Sequence, residues 1–165
     1  RRHELRDPSP RFHPQVLPPP ADLVEPNRVE RLKELVRARL DSYVGNTAYE
    51  ELARGKIAEL ADGGGLPFEP HYIGRAWTRN VELDVVAINR ADRAVLVGEC
   101  KWQKGKLGEN VLDDLIARCN KFDRLEGLTK HYALFSKSGF TKSLKDRAGD
   151  EAVYLFQGGT VTQVT

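Results

Sequence analysis

Residues 81–102 read Val81-Glu82-Leu83-Asp84-Val85-Val86-Ala87-Ile88-Asn89-Arg90-Ala91-Asp92-Arg93-Ala94-Val95-Leu96-Val97-Gly98-Glu99-Cys100-Lys101-Trp102. Two apolar runs flank the polar Arg90-Ala91-Asp92-Arg93, which has the length of a hairpin connection. In the second run apolar residues fall on both alternating parities, so both faces of that strand are expected to be covered. Glu99 and Lys101 interrupt it two residues apart and therefore share a face. The first run is apolar except for Glu82 and Asp84. A tip centred on Ala91-Asp92 puts Asp84 opposite Glu99 and Glu82 opposite Lys101, a register that a bulge would shift. Two directly opposed carboxylates repel, and unpaired buried charge is costly. A cation is therefore expected between them, either Lys101 or a hard divalent ion with oxygen ligands.

Outward from the hairpin, the period of the apolar residues changes. Upstream, Val29, Leu32, Leu35, Val36, Leu40 and Val44 recur at spacings of three and four, predicting an amphipathic helix that stops at Gly45. Thr47-Ala48-Tyr49-Glu50 matches a capping box. It opens a second helix whose apolar face is Tyr49, Leu52, Ala53, Ile57 and Leu60, ending at Gly63-Gly64-Gly65. At ~100° per residue, Glu50 lies on the flank of that face and Glu51 turns to water. A strand is expected over Phe68–Trp77. Downstream follow a helix over Glu109–Leu125, a strand over His131–Ser136, a helix over Thr141–Ala148 and a strand over Ala152–Phe156. This order predicts an α/β fold with a mixed sheet.

The chain has 165 residues, about one domain by length, with 40% hydrophobic and 30% charged residues. No run approaches the ~18 apolar residues of a spanning helix, and no signal peptide is recognisable, so no membrane association is expected. The net charge of +2 excludes a general polyelectrolyte; any nucleic-acid binding must come from how the charge is distributed. The chain contains no methionine and opens Arg1-Arg2-His3, as expected of a fragment of a longer protein. Its two cysteines, Cys100 and Cys119, lack metal-ligand spacing and suit a reducing, cytoplasmic setting. Seven of the nine prolines lie between Pro8 and Pro26. Residues 1–25 are therefore read as an extended connector and residues 26–165 as the folded domain.

Acidic residues on a hairpin, a lysine two positions beyond the second and a glutamate on the preceding helix suit phosphodiester hydrolysis. Asp84 and Glu99 would hold magnesium or manganese, with the main-chain carbonyl of Cys100 as a further ligand and the Glu50 carboxylate binding the metal or a metal-bound water. Lys101 would orient a water or stabilise charge on the phosphorane-like transition state. The plain alternative is a structural ion pair between Lys101 and its neighbours, since a lone Glu-x-Lys on a strand is most often a solvated pair.

Glu82-Leu83-Asp84-Val85-Val86-Ala87 followed by Gly98-Glu99-Cys100-Lys101-Trp102 resembles the core of the PD-(D/E)XK nuclease superfamily. The chain is most similar to a C-terminal restriction-endonuclease-like domain carried by a group of prokaryotic AAA-type ATPases. Ile73-Gly74-Arg75-Ala76-Trp77, Leu134-Phe135-Ser136-Lys137-Ser138-Gly139-Phe140, Tyr43-Val44-Gly45 and Tyr49-Glu50 resemble further segments of that group. Leu83 stands where the superfamily's name-giving proline would be. The front segment His3-Glu4-Leu5-Arg6-Asp7-Pro8 resembles the end of an upstream winged-helix region, whereas Arg11-Phe12-His13-Pro14-Gln15 departs from it. The resemblance implies a restriction-endonuclease-like α/β/α core with a central mixed sheet. It implies a magnesium-dependent endonuclease in which Glu50, Asp84, Glu99 and Lys101 form the catalytic and metal set, and an upstream ATPase in the same chain. No Gly-rich phosphate loop occurs within these 165 residues.

Residues 118–147 carry eight Lys or Arg against three acids, a surface able to track a phosphate backbone. DNA contact is assigned to Arg75, Lys104, Lys121, Ser136 and Lys137. Trp77, between Arg75 and Arg79, is expected to serve packing, and His71 and His131 to be structural. Two rival functions stand beside cleavage: a catalytically inactive DNA-binding module, and a protein-interaction module regulating the attached ATPase.

Overall fold

The two apolar runs become neighbouring strands of a mixed sheet in the computed structural model, which describes residues 33, 34, 36, 37, 39, 40, 43, 47–158, 162 and 163. The proline-rich segment 1–25 and its boundary with residue 26 lie outside the described residues. The chain divides into two compact units, Arg1–Ala48 and Tyr49–Thr165. In the first, the seven described positions between 33 and 43 are all helical, with Tyr43 buried and Leu40 exposed.

The second unit runs α1 (Tyr49–Asp62), β1 (Tyr72–Trp77), β2 (Glu82–Asn89), β3 (Ala94–Lys101), α2 (Glu109–Asn120), a 3-10 turn (Asp123–Leu125), β4 (Thr129–Ser136), α3 (Lys142–Asp150), β5 (Tyr154–Gln157) and β6 (Thr162–Gln163). The strands form one sheet in the order β1-β2-β3-β4-β5-β6. β1 with β2 and β2 with β3 are antiparallel, as are β5 with β6. β3 with β4 and β4 with β5 are parallel, their crossovers carrying α2 and α3.

Alternation along the strands builds two cores. Val95 and Val97 of β3 join Leu112, Leu115 and Cys119 of α2 and Leu144 and Ala148 of α3. Ala94, Leu96 and Cys100 join Tyr49, Ala53 and Ile57 of α1 on the other side. The result is the expected α/β core with helices on both faces of a mixed sheet. Gly98 permits close packing where β2 and β4 flank β3. A Cβ there would lie 2.9 Å from Val85 Cβ and 3.1 Å from Phe135 Cε2.

The hairpin tip is held by Asn89, which is 3% exposed. Its Oδ1 accepts from the Ala91 and Asp92 amides, and its Nδ2 donates to Asp92 Oδ2 and to the Glu69 carbonyl. That frees the chain to turn with Arg93 at φ 51°.

Four local expectations are corrected. Residues 47 and 48 form a π-helical turn in place of the capping box. Leu52 is 50% exposed rather than part of the α1 core face. The first strand starts at Tyr72, because Pro67 and Pro70 cannot donate to a ladder and Phe68 packs from the loop instead. The helix expected to reach Leu125 ends at Asn120, and a 3-10 turn then lets Phe122 and Leu125 both enter the core. Among the described residues, no helix is long and apolar enough to cross a membrane.

Candidate active site

The β2–β3 ladder follows the expected register from Asn89↔Ala94 to Val85↔Gly98. The pairing ends there, so Asp84 and Glu99 are not a ladder pair. The cause is a bulge in β2, where the step from Gly74 to Ala76 on β1 spans Val86 to Leu83. Leu83 and Val86, three residues apart, consequently enter the same core. Asp84 is displaced from the alternation, and its Oδ2 accepts the Cys100 amide at 2.9 Å.

Glu99 is 3% exposed and is clamped by two cations. Lys101 Nζ lies 2.6 Å from its Oε1, and Arg118 Nη2 lies 2.5 Å from its Oε2. Arg118 also donates to the Glu82 carbonyl at 2.9 Å, tying α2 to the start of β2. On the α1 side, Arg54 donates to Glu50 Oε2 at 3.4 Å and to the Asp84 carbonyl at 2.8 Å. Glu82 and Glu51 face solvent.

These groups share an electrostatic field. Burial and the neighbouring charge of Glu99 push the Asp84 carboxyl up to about 7, with a further push from Glu50; the Cys100 amide and Lys101 pull the other way. Burial also raises Glu50, against the opposing pull of Arg54 and Arg75. The Cys100 thiol is driven well up by burial, then by Asp84, Glu50 and Glu99. Asp84 is thus the strained member of the cluster, whereas both oxygens of Glu99 are satisfied. Beside them, the buried Tyr49 Oη and Trp102 Nε1 find no hydrogen-bond partner among the described residues, although their rings meet with centroids 5.0 Å apart.

Among the described residues no group of three or more His, Cys, Asp or Glu side chains could hold a metal ion. The expected set of Glu50, Asp84 and Glu99 is therefore not gathered around one point. A sparser arrangement remains open to this donor set: magnesium is commonly bound by one or two carboxylates, keeping its waters and substrate oxygens. The raised Asp84 carboxyl fits that chemistry, since a cation beside it would offset the repulsion from Glu99 and Glu50.

The residues assigned to nucleic acid divide. Lys104 and Lys121 are exposed. Lys137 stacks over Trp102, 4.4 Å from the ring centroid, beside Ser138, whose hydroxyl donates to the Gln103 carbonyl. Ser136 is fully buried, and its hydroxyl both donates to the Gly139 carbonyl and accepts from the Gly139 amide. It locks the turn instead of facing a phosphate. Arg75 stacks on Trp77 at 5.4 Å. Trp77 itself is 49% exposed, contrary to the packing role expected of it. His131 packs beside Phe68, burial holding its pKa down, and His71 lies 3.4 Å from Asn89 Nδ2.

Two site residues escaped the sequence reading. Arg54 stands four residues after Glu50, a spacing that does signal a helical pair. Arg118 lies beside the buried Leu115–Cys119 stripe of α2, a placement that gives no hint of which strand it reaches.

No solved structure matches the chain. It is 33% identical over 106 residues to the uncharacterized protein MJECL04 of Methanocaldococcus jannaschii, an alignment covering 63% of this chain and 24% of that protein. The chain thus corresponds to about a quarter of its relative's length. Residues 15–121, which include α1, the hairpin and α2, match the profile of a family described as archaeal and bacterial proteins of unknown function. This chain belongs to that family, DUF234.

Proposed function

We propose that the second unit is a metal-dependent nuclease domain of the PD-(D/E)XK type that hydrolyses DNA phosphodiester bonds as part of a larger ATPase-linked protein. The observation carrying this reading is the Asp84 carboxyl, buried at a bulge and pushed up to about 7 among Glu99, Glu50 and Lys101. A fold that needed only stability would gain by placing a neutral residue there, and such costs concentrate at functional sites.

Asp84 and Glu99 would hold magnesium or manganese, with Glu50 and the Cys100 carbonyl as outer or further oxygen donors. When bound, the ion supplies Lewis-acid polarisation of the scissile phosphate. Lys101, whose side chain is 40% exposed, can leave Glu99 Oε1 and place its ammonium against the developing phosphate charge. Arg118 then holds Glu99 in orientation from the other oxygen. Lys104, Lys121 and Lys137 supply backbone-tracking charge.

A second reading is favoured by the same clamp. With both carboxylate oxygens of Glu99 already neutralised by Lys101 and Arg118, the domain would bind DNA, or regulate a linked ATPase, without cleaving. The test is cleavage of supercoiled and linear DNA with magnesium or manganese, comparing the chain with Asp84→Ala and Lys101→Ala. Cleavage by the parent lost in both folded variants supports the nuclease. Cleavage unchanged in Asp84→Ala rejects this site. Salt-sensitive binding without any cleavage selects the binding module.

A further inference from the structure

The edge strand β1 lines a concavity of about 490 Å³, whose walls include Tyr72, Arg75, Trp77, Arg90, Phe122 and Arg124. Its volume falls within the range of small-molecule sites. Among the described residues no carboxylate lines it, and three guanidinium groups do. Aliphatic side chains of β2 form its floor. Trp77 is 49% and Tyr72 54% exposed, an outlay of aromatic surface to water on one short strand. The ligand complementary to these walls has a flat apolar face and carries negative charge.

Local geometry holds the aromatic wall in shape. Gly74 lies beneath the Tyr72 ring, and a Cβ at residue 74 would collide with the Tyr72 hydroxyl. Glycine therefore lets the ring lie down along the strand. Arg75 stacks on Trp77, and Arg90 reaches the Arg124 carbonyl at 3.5 Å, fastening the hairpin tip to the 3-10 turn.

We propose that this pocket binds an unstacked nucleobase together with its adjacent phosphate. Tyr72 and Trp77 provide the stacking surface, which every base satisfies whatever its sequence. The guanidinium groups provide planar, fork-shaped donors for the phosphate. The same chemistry is presented by a free mononucleotide and by the end of a single strand.

The test is calorimetric titration of the full chain without metal ion, so that failure here leaves the cleavage proposal standing. The probes are 5′-deoxyadenylate, deoxyadenosine, inorganic phosphate and a 5′-phosphorylated deoxyadenosine hexamer. Expected is binding of deoxyadenylate at least tenfold tighter than of deoxyadenosine or phosphate. That binding should weaken at least tenfold in Trp77→Ala and in Arg124→Ala. Gly74→Ala, which disturbs only the Tyr72 ring, should weaken it with circular dichroism unchanged. A hexamer that binds tighter than the mononucleotide and loses affinity in Trp77→Ala identifies a strand end as the source; equal affinities identify a mononucleotide. Nucleotide affinity indifferent to Trp77, phosphate binding as tight as the nucleotide, or no binding of any probe overturns the proposal.

Discussion

Replacing Asp84 by asparagine should stabilise the protein at neutral and alkaline pH. In the folded chain Asp84 titrates at about 7, against an ordinary value of 3.8. A carboxyl whose folded pKa is raised keeps its proton more readily in the folded state, so its ionisation opposes folding. The penalty is absent below the unfolded pKa, grows between about pH 4 and 7, and is full above that. A rise of about three units would correspond to about 4 kcal/mol if it belonged to Asp84 alone. Because Glu99 and Glu50 share the field, about 1–3 kcal/mol is expected for the single substitution. The asparagine side chain keeps an oxygen for the Cys100 amide and turns an NH2 toward the carboxylates. At about 2–4 °C per kcal/mol for a protein of this size, Tm should rise by about 2–12 °C at pH 8. The rise should vanish near pH 4. Thermal unfolding followed by circular dichroism from pH 4 to 8 measures this. An Asp84→Asn variant less stable than the parent at pH 8, or a difference that does not change with pH, would refute the reasoning.

Three further substitutions probe the supporting structure. Arg118→Ala leaves the buried Glu99 carboxylate with Lys101 alone and should cost about 1–3 kcal/mol in urea unfolding, less when Glu99→Gln is already present; equal costs in both backgrounds would show no coupling. Gly98→Ala drives a methyl group against Val85 and Phe135 and should cost about 1–3 kcal/mol by the same assay. Tyr49→Phe removes a buried hydroxyl with no hydrogen-bond partner among the described residues and should be neutral or stabilising by up to about 1 kcal/mol; clear destabilisation would mean that the hydroxyl has a partner in solution.

Most of the architecture is legible in one dimension because it is a matter of period and punctuation. The β2–β3 hairpin announces itself through two apolar runs around a four-residue polar tip, and the ladder from Asn89↔Ala94 to Val85↔Gly98 follows from that spacing. The double-sided burial of β3 follows equally from apolar residues on both parities. Sequence and structure part where periodicity competes with something nonlocal. Leu52 has the right spacing for the α1 core but stays half exposed, and Trp77 reads as packing because a strand's outer edge is invisible in a sequence.

The site shows the same division. Hairpin register and helical angle are local geometry, so the order of residues is enough to put Asp84, Glu99 and Lys101 on adjacent strands with Glu50 on the flank of the preceding helix. How those charges are balanced depends on packing across the sheet. The β2 bulge depends on pairing with β1, and it moves Asp84 off the ladder to the Cys100 amide. Arg118 arrives from a helix that packs across the sheet and takes half of Glu99. Charge compensation in a core depends on which distant side chains reach the same few ångströms, and that is set by packing between layers, which no spacing along the chain encodes.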